Sequence, residues 1–258
     1  MPSRRLAPLT LFPLLLGVGC PRRNSAPAPA SKPLDGVLVV LDPGHGGEDS
    51  GAIRAGFRED ALNYRLAAET ASELRSRGAT VWMTVSSRAL PSNLRPDRPE
   101  PKLVAPGDAR LTFNGERVRL REKGNANDLW RRAAICQKAV KEPNKRTFFL
   151  ALHADSLESR AWWGARVYRD TRDKGESRLA REVLSRLTAG GFTFTKTGKI
   201  VPRDYGVLNP QYNPIVQKAL VEAFTISSPH DRIRASDPKW RWKVAKILAD
   251  SVQVCAKD

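Results

Sequence analysis

The 258-residue chain has three histidines, and two of them, His45 and His153, each close an unbroken apolar run. Val37-Leu38-Val39-Val40-Leu41 precedes Asp42-Pro43-Gly44-His45-Gly46-Gly47, and Thr147-Phe148-Phe149-Leu150-Ala151-Leu152 precedes His153. Runs this short suit strands buried on both faces of a parallel sheet rather than helices. Open α/β sheets present ligand sites at the carboxyl ends of such strands. Two imidazoles delivered there are candidate metal ligands, and a catalytic zinc commonly takes three protein ligands, two His and one Glu being a known set. Glu59, at the start of a helix returning from the first strand, can supply the carboxylate; Asp60 competes, and spacing does not separate them. The plainer readings are a glycine turn with an idle imidazole at His45 and, at Glu59, an acid favoured by the helix dipole. Asp42 is near enough in sequence to orient the His45 ring, as ligating histidines usually require. Residues 218–224, Lys-Ala-Leu-Val-Glu-Ala-Phe, read as a strand with one carboxylate, Glu222, in apolar company.

The elements that must position these groups follow from periodicity. Leu62, Leu66, Thr70 and Leu74 recur at helical spacing, Gly78 stops the helix, and residues 79–85 form the second strand. Strand, helix and strand with a short connection imply a right-handed crossover and a parallel pair. Leu129, Ala133, Cys136 and Val140 mark the helix before the His153 strand, residues 164–169 a further strand, and Leu179, Val183, Leu184 and Leu187 the core stripe of the next helix. Trp240, Val244, Ile247, Ser251 and Cys255 form a closing helix. The fold class is α/β: a mostly parallel twisted sheet flanked by helices, one catalytic domain over residues 35–258. Residues 87–128 break the pattern as an insertion in which Asn114-Gly115 joins two strands of a hairpin. Trp162 and Trp163, just past His153, serve either as packing or as a stacking platform, with at least one expected to line the cleft because adjacent strand residues face opposite ways.

Forty-four Lys and Arg against 27 Asp and Glu give a net charge of +17, which favours a polyanionic partner without choosing among nucleic acid, lipid headgroups and cell-wall polymers. Residues 1–20 read as an export leader, with Arg4 and Arg5 before an apolar run too short to span a membrane. Gly17-Val18-Gly19-Cys20 resembles a lipobox, which makes Cys20 the lipidation candidate and membrane attachment its consequence; cleavage within residues 26–30 is the alternative. Residues 21–34, rich in Pro, Ala and Ser, form a tether. Cys136 and Cys255 fall on apolar helix faces, so buried free thiols are the default over a disulfide.

The chain resembles the zinc-dependent N-acetylmuramoyl-L-alanine amidases (amidase_3 type) of bacterial cell walls. Leu41-Asp42-Pro43-Gly44-His45-Gly46-Gly47-Glu48-Asp49-Ser50-Gly51-Ala52 looks like their opening motif, and Glu59 with Asn63 one turn later resembles their helix motif, which selects Glu59 over Asp60. Leu150-Ala151-Leu152-His153-Ala154-Asp155 is similar to the motif that completes the zinc site. Leu220-Val221-Glu222 resembles the last motif, whose glutamate is catalytic, although Phe224 and Thr225 stand where the family has glycine and phenylalanine.

The resemblance implies one Zn2+ held by His45, Glu59 and His153, with Glu222 as proton carrier. It also implies cleavage of the amide between N-acetylmuramic acid and L-alanine. Zinc and the backbone amides of the glycine turn are the candidates for oxyanion stabilisation. Asp42, Asn63, Trp162 and Trp163 are candidates for supporting the ligands or touching substrate. The implied partner is peptidoglycan and the implied location the periplasm or cell envelope; the identity of any activating protein stays open. A catalytically weak peptidoglycan-binding protein on the same fold is the alternative. A nucleic-acid partner is set aside, because only charge suggests it and no recognition motif accompanies the leader.

Overall fold

The computed structural model describes residues 31–46, 49–87, 109–113, 116–119, 126–194 and 198–257. The leader, Cys20, the tether up to residue 30, Gly47 and most of the insertion, including its Asn114-Gly115 turn, lie outside them. In chain order the elements are β1 (Val37–Pro43), β2 (Ile53–Arg54), β3 (Phe57–Arg58), α1 (Glu59–Ser76), β4 (Thr80–Met83), β5 (Val85–Ser87), β6 (Ala109–Phe113) and β7 (Glu116–Arg119). There follow α2 (Ala126–Ala139), β8 (Arg146–Asp155), β9 (Arg166–Arg169), α3 (Arg178–Ala189), β10 (Ile200–Pro202), a 3-10 turn (Gly206–Leu208), β11 (Gln217–Thr225), α4 (Pro229–Ser236) and α5 (Pro238–Cys255).

Among the described residues six strands form the main sheet, in the order β10-β9-β11-β8-β1-β4. β4, β1, β8 and β11 run parallel, while β9 pairs antiparallel with β11 and carries β10 beside it. The mostly parallel α/β sheet is thus observed, with a reversed pair on one flank. Alternation along the central strands divides the core. Val37, Val39, Leu41, Phe148, Leu150 and Leu152 face the cluster containing the buried sides of α1, α3 and α5, whereas Leu38, Val40, Phe149 and Ala151 face α2 and the 3-10 turn. Both faces of β1 and β8 are therefore covered, which is why their sequences are continuously apolar.

Two expectations change in detail, and that for the cysteines stands. The second strand breaks at Thr84, and Val85–Ser87 leaves to form a separate antiparallel sheet with β6 and β7, the two strands expected on either side of the hairpin turn. In α2, Leu129 and Val140 are exposed; Arg132, Ile135, Cys136 and Ala139 turn inward instead, and the helix ends at Ala139. Cys136 and Cys255 are free, buried thiols, so no disulfide joins them. No helix among the described residues is long and apolar enough to cross a membrane.

Candidate active site

β1 delivers His45 one residue beyond Gly44, and the backbone there is tightly constrained. His45 has φ +64°, a left-handed conformation that costs a non-glycine residue about 1–3 kcal/mol unless its surroundings hold it. The holding contacts are specific. Gly46 and Asp49 exchange backbone hydrogen bonds of 2.7 and 3.2 Å, and Arg132 donates to the carbonyls of Pro43 at 2.8 Å and His45 at 2.7 Å. Arg132 also pairs with Asp42 at 2.7 Å, and Thr84 donates to the same carboxylate. Asp42 therefore does not orient the His45 ring as expected: it is buried beneath the turn and anchors Arg132. The ring is oriented by Asp49, whose Oδ2 lies 2.9 Å from Nδ1 and leaves Nε2 directed at Glu59.

Glu59 is the first residue of α1 and is buried. Its Oε1 lies 3.1 Å from His45 Nε2 and 3.1 Å from His153 Nδ1, while Oε2 accepts from the Ala52 amide at 2.9 Å. Asn63, one turn along the helix, donates to Gly44 O at 3.2 Å and to Glu59 Oε1 at 3.4 Å, tying the helix to the turn. Asp60 instead pairs with Arg58 at 3.1 Å. The glycines answer to close approach. A Cβ on Gly44 would sit 2.1 Å from the His153 ring, and one on Gly51, at φ +62°, would meet Glu59 Oε2 at 2.6 Å and His45 at 2.7 Å. Gly44 and Gly51 let the three side chains crowd together.

His45, Glu59 and His153 offer ligand atoms that all lie within 4.8 Å of one another, a cluster able to hold a metal ion. Zinc bonds of about 2.0–2.1 Å in tetrahedral geometry put neighbouring donors about 3.3 Å apart, and Glu59 Oε1 stands 3.1 Å from each imidazole nitrogen. The donor set, its spacing and the Asp49 buttress fit a zinc ion. The metal-free electrostatics agree with a cation site. Burial opposes charge on His45, but hydrogen bonds to Asp49 and Glu59 prevail and raise it to about 10. Burial likewise opposes charge on Glu59, and hydrogen bonds from His153 and His45 overcome it and hold the carboxyl well below the usual range.

Glu222 stands beside this cluster on β11, in register with His153 of β8 on one side and Arg166 of β9 on the other. Its Oε2 is buried with no hydrogen-bond partner among the described residues. Burial, and then repulsion from Asp155 and Glu59, push its carboxyl well above the usual range. Arg166 pairs with Asp155, the residue two beyond His153. The unexpected Phe224 and Thr225 are accommodated: Phe224 is in the core, the register with β8 shifts between Glu222 and Thr225, and the Thr225 amide donates to Asp231 at 2.8 Å.

Trp162 and Trp163 precede β9 instead of lying within a strand, so alternation does not govern them. Both line a groove of about 300 Å3 together with Arg166. Trp163 packs at 4.4 Å from the His230 ring and beneath Arg234, whereas Trp162 is half-exposed against Phe194. Sequence reasoning missed Asp49, Arg132 and Arg166. Asp49 sits inside the opening motif, four residues from His45, and spacing would have supported it as well as Asp42. Arg132 and Arg166 carried no signal of their own, because their partners are brought near only by the fold.

A family model described as N-acetylmuramoyl-L-alanine amidase (Amidase_3) matches residues 39–254. The germination-specific N-acetylmuramoyl-L-alanine amidase of Bacillus subtilis (strain 168) is 26% identical over 225 residues, 87% of this chain and 82% of that protein. Among solved structures, the CwlD amidase of Clostridioides difficile, in complex with the GerS lipoprotein, superposes with a TM-score of 0.62 at 16% identity, covering 86% of this chain and 100% of that one. The catalytic domain of CwlV, an N-acetylmuramoyl-L-alanine amidase from Bacillus (Paenibacillus) polymyxa var. colistinus, gives 0.60 at 19% identity, covering 86% and 98%. The structural likenesses bear on the fold; the family match spans the sheet but for the first two residues of β1, and includes His45, Glu59, His153 and Glu222. By that match the chain belongs to the N-acetylmuramoyl-L-alanine amidase family of cell-wall hydrolases.

Proposed function

We propose that the chain is a zinc-dependent peptidoglycan amidase that hydrolyses the amide joining the lactyl group of N-acetylmuramic acid to L-alanine of the stem peptide. The observation that carries this reading is the Glu222 carboxyl, whose buried Oε2 has no hydrogen-bond partner among the described residues, set in register beside a histidine of a two-His, one-Glu cluster. His45, Glu59 and His153 would hold the ion, which when bound would supply Lewis-acid polarisation and a water acidified toward neutrality. Asp49 and Arg132 keep His45 aimed; Asn63 keeps Glu59 against the turn. Glu222 Oε2 accepts a proton from the attacking water and returns it to the nitrogen of L-alanine as the C–N bond breaks. The amides of Gly44 and Gly46 donate to Leu152 O and Asp49 O, so these two are spent within the fold and do not serve an oxyanion.

A purely binding protein on this fold gains nothing from a buried carboxyl oxygen with no partner among the described residues, which costs stability. Export rests on the leader and on the substrate, with Cys20 as the point of membrane attachment. A lipoprotein bound to the CwlD amidase supports an accessory partner for this chain as well. Mass analysis of digests of purified peptidoglycan, with and without chelator, tests the proposal. Free peptides beginning with L-alanine should be released, lost with chelator and restored by zinc; cleavage at another bond, or indifference to chelator, refutes it.

A further inference from the structure

We propose that the surface built by α4, the first two turns of α5 and the loop before β9 is a membrane-docking face that takes anionic phospholipid headgroups. Ile233 on α4 is 70% exposed, and Trp162 and Phe194 are 50% and 46% exposed. Scattered singly, such residues need no explanation; here they are joined. Trp162 stacks on Phe194 at 5.0 Å, Phe194 meets Trp163 at 5.5 Å, and Trp163 packs at 4.4 Å from His230, which stands one turn before Ile233 on α4. Arg234 lies over Trp163 at 5.2 Å and Trp240 at 5.0 Å, and Lys243 lies over Trp240 at 5.1 Å. The result is a continuous band of indole, phenyl and aliphatic surface with cations laid along it. Tryptophan, phenylalanine and aliphatic side chains bordered by Lys and Arg are the composition of surfaces that settle into the headgroup layer.

Charge selects the sign of the partner. Residues 229–246 hold six Lys or Arg against two Asp, and both acids are occupied. Asp231 is buried and accepts from the amides of Gly164 at 2.6 Å and Thr225 at 2.8 Å, while Asp237 caps α5 by accepting from the Lys239 amide at 2.9 Å. Lys239 and Lys243 are exposed, and Lys199 borders Trp162 and Phe194 in their groove. Position favours a bilayer over a soluble polyanion. Attachment at Cys20, the part of the reading above on which this inference rests, holds the domain near lipid, because the fourteen residues from Cys20 to Leu34 span at most about 50 Å. The Leu34 amide donates to Arg77 O, and Arg77 pairs with Asp250 of α5, from which Trp240 stands about 15 Å along the helix axis. The face is within the tether's reach. It also lies away from the chemistry: Phe192 and Ala235 belong to the core on the α1, α3 and α5 side of the sheet, whereas His153 and Glu222 alternate with Leu152 and Val221 of that core and project from the other side. A domain docked by this face keeps its cleft clear of the lipid.

The test is vesicle co-sedimentation of the exported chain, beginning at residue 20 and carrying Cys20→Ser so that no attached lipid contributes. Vesicles of one part phosphatidylglycerol to two parts phosphatidylcholine should bind it, and pure phosphatidylcholine should not. Lys239→Gln with Lys243→Gln should weaken that binding about tenfold or more, and Trp162→Ala with Ile233→Ser about tenfold. Lys141→Gln with Lys145→Gln removes the same charge from exposed positions after α2 and should change binding little. Equal binding to both lipids, patch variants that bind as the parent does, or an equal loss in the Lys141 and Lys145 variant overturns the proposal. Retention on purified peptidoglycan in chelator should not respond to either pair of patch substitutions; a parallel loss there would assign the face to the wall polymer and overturn it too. Because the assay needs neither a lipid at Cys20 nor turnover, the docking face is read separately from the attachment and from the amidase activity, which fractionation of the full chain and peptidoglycan digests test on their own.

Discussion

Glu59 and Glu222 are almost equally buried, 6% and 8% exposed, yet their surroundings drive the two carboxyls in opposite directions. Burial alone raises both. At Glu59 it is answered by two imidazoles, the Ala52 amide and Asn63. At Glu222 one oxygen has no partner among the described residues, and the nearest charges include Asp155 and Glu59, of its own sign. Partners, not depth, decide which carboxylate stays charged. Two acids pushed apart by their environments divide the labour of a site, one holding charge and the other carrying a proton.

Matched amide substitutions give the largest test of that division. Glu222→Gln should lose about 10²- to 10⁴-fold in peptide release from purified peptidoglycan while keeping near-stoichiometric zinc. Glu59→Gln should lose the metal together with the activity. Atomic absorption on both proteins checks this, and equal zinc content in the two, or undiminished release by Glu222→Gln, would erase the distinction.

A smaller effect is expected one layer out, at the group that holds the turn. Arg132 reaches Asp42 and the carbonyls of Pro43 and His45 from a helix 87 residues away in sequence from His45. Arg132→Ala leaves Asp42 buried with Thr84 and no opposing cation, a loss of about 3–5 kcal/mol by the usual cost of breaking a buried pair. If the grip also aims His45, zinc affinity in a chelator competition should fall about 10–100-fold, as for other groups that orient metal ligands. A destabilised variant with unchanged zinc affinity would show that Asp49 alone suffices to aim the ring.

The same contrast between near and far explains what the sequence disclosed. The central strands, α1, α3 and α5 were legible because their apolar periods are long and unbroken, and His45, His153 and Glu222 because each sits at an element boundary or amid apolar neighbours; Glu59 was separated from Asp60 only by the family resemblance. Asp42 was misassigned because proximity in sequence stood in for geometry: this strand residue projects from the face covered by α2, where it meets Arg132, while Asp49 hydrogen-bonds the ring. Leu129 was expected inward on helical spacing, yet α2 turns Arg132 inward to meet Asp42 of β1. β10, at three residues, is too short to carry a period, and the reversed β9 follows a tryptophan-rich loop that carries no directional signal.

The smallest effect separates the two glutamates by stability instead of rate, in the metal-free chain. Both start from an ordinary value of 4.5. Glu59 is depressed, so it stabilises the fold above that value, and the contribution is lost as the pH falls through its lower folded value. The contact is shared with His45, raised from 6.5 to about 10, so His45's part is complete below 6.5 and lost as the pH rises through 10. Glu222 is raised, so the stability linked to its protonated form is complete below 4.5 and lost as the pH rises through its higher folded value. At pH 7 in chelator, Glu59→Gln should therefore melt below the parent chain and Glu222→Gln above it. A difference of ~1 kcal/mol moves Tm by about 2–4 °C in a domain of this size. Lowering the pH toward 4.5 should close the gap for Glu222→Gln and leave that for Glu59→Gln open. Two gaps of the same sign at pH 7 would mean that burial, and not the partners, governs both carboxyls.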